Sequence, residues 1–131
     1  MSDMGDILTA LSTDVSTAVS GVTVSLVPRN PEDIKNDDLP FCILLLTDYG
    51  VTTLDWGQEE RTWTIYGLLV TKGGTREAME LLLEAIRDEI FSDPTLDSAV
   101  DRSTCAPIVP YSGDESKQMF GEFSVQAVKV V

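Results

Sequence analysis

The chain contains no histidine. This removes the side chain that most often serves as a general base near neutral pH and most often ligates a metal. Cysteine is scarce: the 2 residues, Cys42 and Cys105, lie far apart in apolar stretches, with no CxxC. Two thiolates cannot complete a zinc site, and an unpaired cysteine packs as a small hydrophobe. Both are expected as buried free thiols. Basic residues are few, 9 Lys and Arg against 22 Asp and Glu, for a net charge of −13. That balance opposes a conventional nucleic-acid binder, which gains affinity by displacing phosphate counterions. It also opposes docking on an anionic membrane. No apolar run reaches the roughly 18 residues needed to span a bilayer. Met1 to Asp6 holds two aspartates and no basic residue, unlike the positive start of a secretory signal. Folding in a cytoplasm is expected.

The 131 residues, 43% of them hydrophobic, suffice for one domain with a proper core. Between Asp3 and Ser20, residues Met4, Ile7, Leu8, Leu11, Val15, Ala18 and Val19 recur at helical spacing, with Ser12, Asp14 and Ser16 outside the stripe. An amphipathic helix ending at Gly21 is expected. Val22 to Val27 alternates as a short strand. Pro28 to Pro40 is rich in proline and aspartate and reads as a linker. Phe41 to Thr47 is almost wholly apolar, a strand buried on both faces, stopped by Asp48-Tyr49-Gly50. Val51 to Glu60 is a polar excursion.

Arg61 to Thr71 reads as a long strand, with Trp63, Ile65, Gly67 and Leu69 on one face. Gly67 is expected to admit a helix closely. Lys72-Gly73-Gly74 ends it, and Thr75 caps a second helix. There Ala78, Met79, Leu82, Leu83, Ile86, Ile90 and Phe91 form the apolar stripe. A strand follows around Ser103 to Val109, then a polar loop from Tyr111 to Gln118. The closing strand, Met119 to Val131, places Met119, Gly121, Phe123, Val125 and Ala127 on one face. These elements give an α/β (α+β) expectation: a mixed or antiparallel sheet of about five strands with two amphipathic helices on one face.

Catalytic chemistry finds little footing. Asp93, Asp97 and Asp101 recur at four-residue spacing, but Pro94 opposes a continuous helix, so a solvated acidic loop is the expectation. Asp33, Asp37 and Asp38 lack the glycine and terminal glutamate of an EF-hand loop. Lys72-Gly73-Gly74-Thr75 lacks the GxxxxGK[ST] order of a phosphate loop. The chain is read as a non-enzyme with no cofactor and no metal. Two features suit protein contacts. If both helices share one sheet face, Cys42, Leu44 and Leu46, or their odd-numbered neighbours, need cover on the other face, from a partner subunit or from the N-terminal helix. Trp56, in a polar excursion, either folds back onto the sheet or anchors an interface.

The order of elements resembles the tail terminator (tail completion) proteins of long-tailed phages and the related neck or head–tail joining proteins. The resemblance rests on the leading helix, the linker ending in Asp38-Leu39-Pro40, and the Trp-bearing strand Arg61-Thr62-Trp63-Thr64-Ile65. It extends to the helix and turn from Ala78 to Leu96 and to the closing strand Gly121 to Val131. It covers nearly the whole chain and implies a homo-oligomeric ring, six-fold in this family. That ring would sit on the tail tube protein at the head-proximal end of the tail, stop tube growth, and meet the head connector. DNA would pass through an acidic lumen without specific binding, and no membrane is involved. Cys42, Leu44, Leu46, Tyr49, Trp56 and Tyr111 are the candidate subunit or tube contacts. The excursion Asp48 to Glu60 and the loop Tyr111 to Gln118 are the arms expected to reach neighbours. A neck connector ring, or a monomeric acidic adaptor or inhibitor of a basic partner, is the alternative. The excess acid reads as plain solubility, a DNA-repelling surface, or adaptation to high salt.

Overall fold

The computed structural model describes residues 3–27, 39–73, 75–107, 111–112 and 118–131. The elements run α1 (Asp3–Ala18), β1 (Thr23–Ser25), β2 (Phe41–Thr53), β3 (Glu59–Lys72), α2 (Arg76–Phe91), β4 (Arg102–Pro107), β5 (Tyr111–Ser112) and β6 (Gln118–Val130). The sheet order is β1-β2-β3-β6-β4, with β5 also paired to β6. Only β1 with β2 is parallel; the remaining pairs are antiparallel. This is the mixed α+β sheet of about five strands that the sequence predicts. Most of the linker expected from Pro28 to Pro40 lies outside the described residues.

Both helices pack on the same sheet face. Their stripes (Ile7, Leu11 and Val15 from α1; Met79, Leu83, Ile86 and Ile90 from α2) join Leu44, Ile65, Leu69, Phe123 and Val125 in one core. The apolar stripe of α2 is narrower than its sequence suggests. Ala78 is exposed, and Phe91 is 81% exposed at the helix end, because the chain turns away from the sheet there. Thr75 caps α2 as expected: its Oγ1 accepts a hydrogen bond from the Ala78 backbone N–H at 3.1 Å, satisfying one orphan donor of the first turn.

The two core glycines have different tasks from the one expected. Gly67 does not receive a helix; it faces Phe123 directly across the β3–β6 pair. A Cβ on Gly67 would stand 2.2 Å from the Phe123 ring, so the missing side chain makes room for an aromatic. The helix approaches Gly121 instead, where a Cβ would meet Met79 Sδ at 2.6 Å.

β2 also departs from expectation. It does not stop at Asp48-Tyr49-Gly50 but runs on to Thr53, paired with β3 throughout. A bulge at Thr47 shifts the register between Leu46 and Asp48, and the Thr47 hydroxyl donates to the Thr64 carbonyl at 3.2 Å. One extra residue absorbed this way lets a turn-like sequence stay in the ladder. The polar excursion is therefore the far half of a long hairpin.

On the sheet face away from the helices, Phe41, Ile43, Leu68 and Val70 form a second buried cluster, with Leu45, Tyr66 and Phe120 packed against it. Phe41 to Leu44 are thus buried on both faces, but the double burial expected through Thr47 stops there: Leu45 is half-buried and Leu46 and Thr47 are exposed, because the strand runs past the cover of the helices. The burial of Phe41 to Leu44 is complete within a single chain, and neither a partner subunit nor α1 is needed to cover the second face.

Candidate interaction surfaces

The six residues expected at subunit or tube contacts divide into three groups. Cys42 and Leu44 are 0% exposed and lie under the helices in the main core. They cannot reach another molecule, and their assignment to an interface is corrected: the helices lie over these even-numbered positions. Burial pushes the Cys42 thiol up to about 12. Cys105 is pushed up to about 11 by burial, a rise that nearby Arg87 partly opposes. Both are free thiols, protonated and inert near neutral pH.

Leu46, Tyr49 and Trp56 come together on the β2–β3 hairpin. β1 pairs only with Phe41 to Ile43, so from Leu44 to Thr53 the outer edge of β2 has no neighbouring strand among the described residues. Leu46, Tyr49 and Val51 lie opposite Ile65, Trp63 and Arg61, which places all three on the helix-bearing side. They extend past the cover of the helices and are 37%, 46% and 49% exposed. Tyr49 leans on Trp63, with ring centroids 5.3 Å apart. The hairpin closes through Asp55–Gly57, with Trp56 at φ +75° and Gly57 at φ +80°. The Leu54 N–H donates to the Gln58 carbonyl at 2.7 Å across the turn. Trp56 is 96% exposed; it does not fold back onto the sheet. A left-handed conformation at a bulky residue costs energy, and here it presents an indole to solvent.

Tyr111 belongs to β5, opposite Phe120, and so begins in a strand and not in the expected loop; its side chain lies outside the described residues, as do residues 113–117 of that loop.

A groove of about 570 Å³ opens between α1 and the segment after α2, with Asp6, Asp14, Asp93 and Asp97 among its lining residues. The sequence reading set Asp14 outside the apolar stripe, yet Asp14 is only 7% exposed. A 3.6-residue period places it almost in line with Ile7, seven positions earlier, and that was the available signal. Burial, followed by the charge of Asp93, a side-chain hydrogen bond shared with Asp93, and the charges of Glu89 and Asp97, raises its carboxyl to about 7. Its Oδ2 has no hydrogen-bond partner. Asp101 stands apart from this group: its carboxylate accepts from the Val130 backbone N–H at 2.6 Å and fixes the start of β4 beside β6. The three-carboxylate row is broken because Leu96, Asp97 and Ser98 all have positive φ, so no helix carries it. Among the described residues, no three acidic or thiol groups converge to hold a metal ion, and no helix is long and apolar enough to cross a membrane. In comparisons with known proteins, no family model matches the chain and no curated protein matches it significantly.

Proposed function

We propose that the chain is a structural virion protein that assembles into a ring on the end of a phage tail tube, stops tube growth, and offers the surface to which the head attaches. The observation that carries this reading is the β2–β3 hairpin. A small sheet with its helix-side core closed in one chain extends a strand edge that has no neighbouring strand among the described residues, an apolar side at Leu46, Tyr49 and Val51, and a solvent-facing Trp56. An exposed strand edge is a template for pairing with another chain, and an exposed tryptophan is the residue type that most often dominates a contact. Head-to-tail use of such an arm, each copy reaching the next, closes a ring when the rotation per subunit allows it.

The charge supports the same reading. A net charge of −13 on a ring would repel DNA phosphates and let a genome pass without binding. The element order also accords with the terminator resemblance. Enzymatic activity, a cofactor and specific DNA binding are not part of the proposal; the partners are further copies of the chain, the tail tube protein and the head connector.

Growth of tube protein in the presence of the purified chain tests this. Addition should give short tubes bearing a ring at one end, and Trp56→Ala, which removes no buried contact, should shorten them far less. Tubes growing to the same length with and without the protein would refute the terminator reading.

A further inference from the structure

The sheet has a second strand edge besides that of the hairpin. In the order β1-β2-β3-β6-β4, β4 is the last strand on the side away from β2. Along Arg102–Pro107 it pairs with β6, and its outer side has no neighbouring strand among the described residues. Such edges are templates for pairing with another chain, and these two stand at opposite ends of one sheet. The strand directions decide how two copies would meet there. β2 is antiparallel to β3, β3 to β6 and β6 to β4, so β2 and β4 run in opposite senses. A second copy that sets its β2 beside β4, with its helices on the same side, keeps every strand direction. The new pair is then antiparallel, the more stable kind of ladder. Its two halves are different patches, so the contact is head-to-tail.

The two edges also match in chemistry, face by face. On the helix-bearing side the hairpin presents Leu46, Tyr49 and Val51. On that side of β4 stands α2, whose Arg87 lies near enough to Cys105 to act on its thiol. Phe91 follows Arg87 by one turn on the same helix face and leaves its ring 81% exposed. On the far side of the sheet lie Asp48 of β2, opposite Thr64, and Arg102 of β4, opposite Val128. The charges are opposite. The hairpin bears Asp48, Asp55, Glu59 and Glu60, and its one cation, Arg61, is already paired with Asp3 and Glu59. β4 bears Arg102 and no acid. Arg102 stands 3.7 Å from Glu60 of its own chain with 61% of its side chain exposed, which leaves donors for a second acid. Arg87 forms no ion pair with another described residue. In a chain of net charge −13, this edge is a local exception. We propose that the hairpin of one copy lies along the β4 edge of the next and continues the sheet as an antiparallel pair, with Tyr49 and Val51 against Phe91 and the hairpin acids against Arg87 and Arg102. The inference rests on the reading of the hairpin as an arm between copies and adds the surface that receives it.

Cross-linking of the full chain at millimolar concentration tests this. Thr52 and Thr104 are exposed, one on each edge, and lie on the far side of the sheet opposite Glu60 and Gln126. The native thiols stay protonated near neutral pH. A chain carrying both Thr52→Cys and Thr104→Cys, treated with a flexible bismaleimide, should give a ladder of covalent oligomers beyond the dimer, because each copy offers both ends of the contact. Neither single variant should give that ladder. Adding Phe91→Ala, which removes no buried side chain, should cut its yield several-fold, with circular dichroism unchanged. Abundant dimers from Thr52→Cys alone would mean that hairpins meet each other, and would overturn the proposal. So would the absence of a ladder from the double variant, or a ladder that Phe91→Ala leaves intact. Tube length decides the ring reading separately: a chain that stops tubes but gives no ladder keeps that reading and loses this one.

Discussion

Asp14 is the residue at which local pattern and tertiary structure disagree most. A carboxyl with a folded pKa raised to about 7 holds its proton in the folded state over a pH range where the unfolded chain has lost it. The folded state therefore binds more protons between about pH 4 and pH 7, and stability falls as pH rises through that window. Below it the contribution is fully present; above it the loss is complete and the curve is flat. Asp14→Asn removes the titration while keeping shape and hydrogen bonding. The variant should gain on the order of 2 kcal/mol over wild type at pH 8, and nothing at pH 4, in urea unfolding. An equal difference at both pH values would contradict the assignment. The glycines make a second prediction at this scale. Gly67→Ala drives a methyl into the Phe123 ring, which is 0% exposed and confined, and should cost about 2–3 kcal/mol. Gly121→Ala meets the flexible Met79 thioether, which can move, so its cost should be about 1 kcal/mol. The sequence reading gave Gly67 the close approach of the helix that Gly121 in fact receives, because alternation gives a face and not the neighbour above it.

At the scale of elements, the periodic segments were readable and the boundaries set by distant pairing were not. α1, α2 and β6 each bury one face, so periods of 3.6 and 2 reveal them. Thr75 as the cap of α2 was equally legible; Thr75→Ala should lower stability by about 1 kcal/mol, measurable by thermal unfolding. The far half of β2 was not legible. Asp48-Tyr49-Gly50 is turn-forming chemistry, and only the ladder to Arg61–Thr64, with its bulge at Thr47, keeps it extended. For the same reason only some of the candidate contact residues proved to be exposed. Leu46, Tyr49 and Trp56 share the hairpin, whereas Cys42 and Leu44 were assigned before it was known that both helices cover their side of the strand. Trp56→Ala should leave the melting temperature unchanged, since the side chain is 96% exposed, while abolishing contacts between copies. A substantial fall in melting temperature would place the indole against the protein and remove it from the interface.

For the whole molecule, the fold and the electrostatics bear on assembly together. The chain closes its main core without help, so on the proposed reading a single copy can fold before it meets a tube end. The β2 edge, without a neighbouring strand among the described residues, and the apolar hairpin side are the surfaces proposed for pairing. Its charge opposes premature association at low salt and is screened within about 10 Å at 0.1 M. The central claim is that this protomer ends tail growth. It is tested most directly by electron microscopy of particles assembled without this protein. The account predicts tails of irregular, excessive length, unattached to heads. Tails of normal length beside full, detached heads would move the ring to the neck, and normal particles would contradict the account altogether.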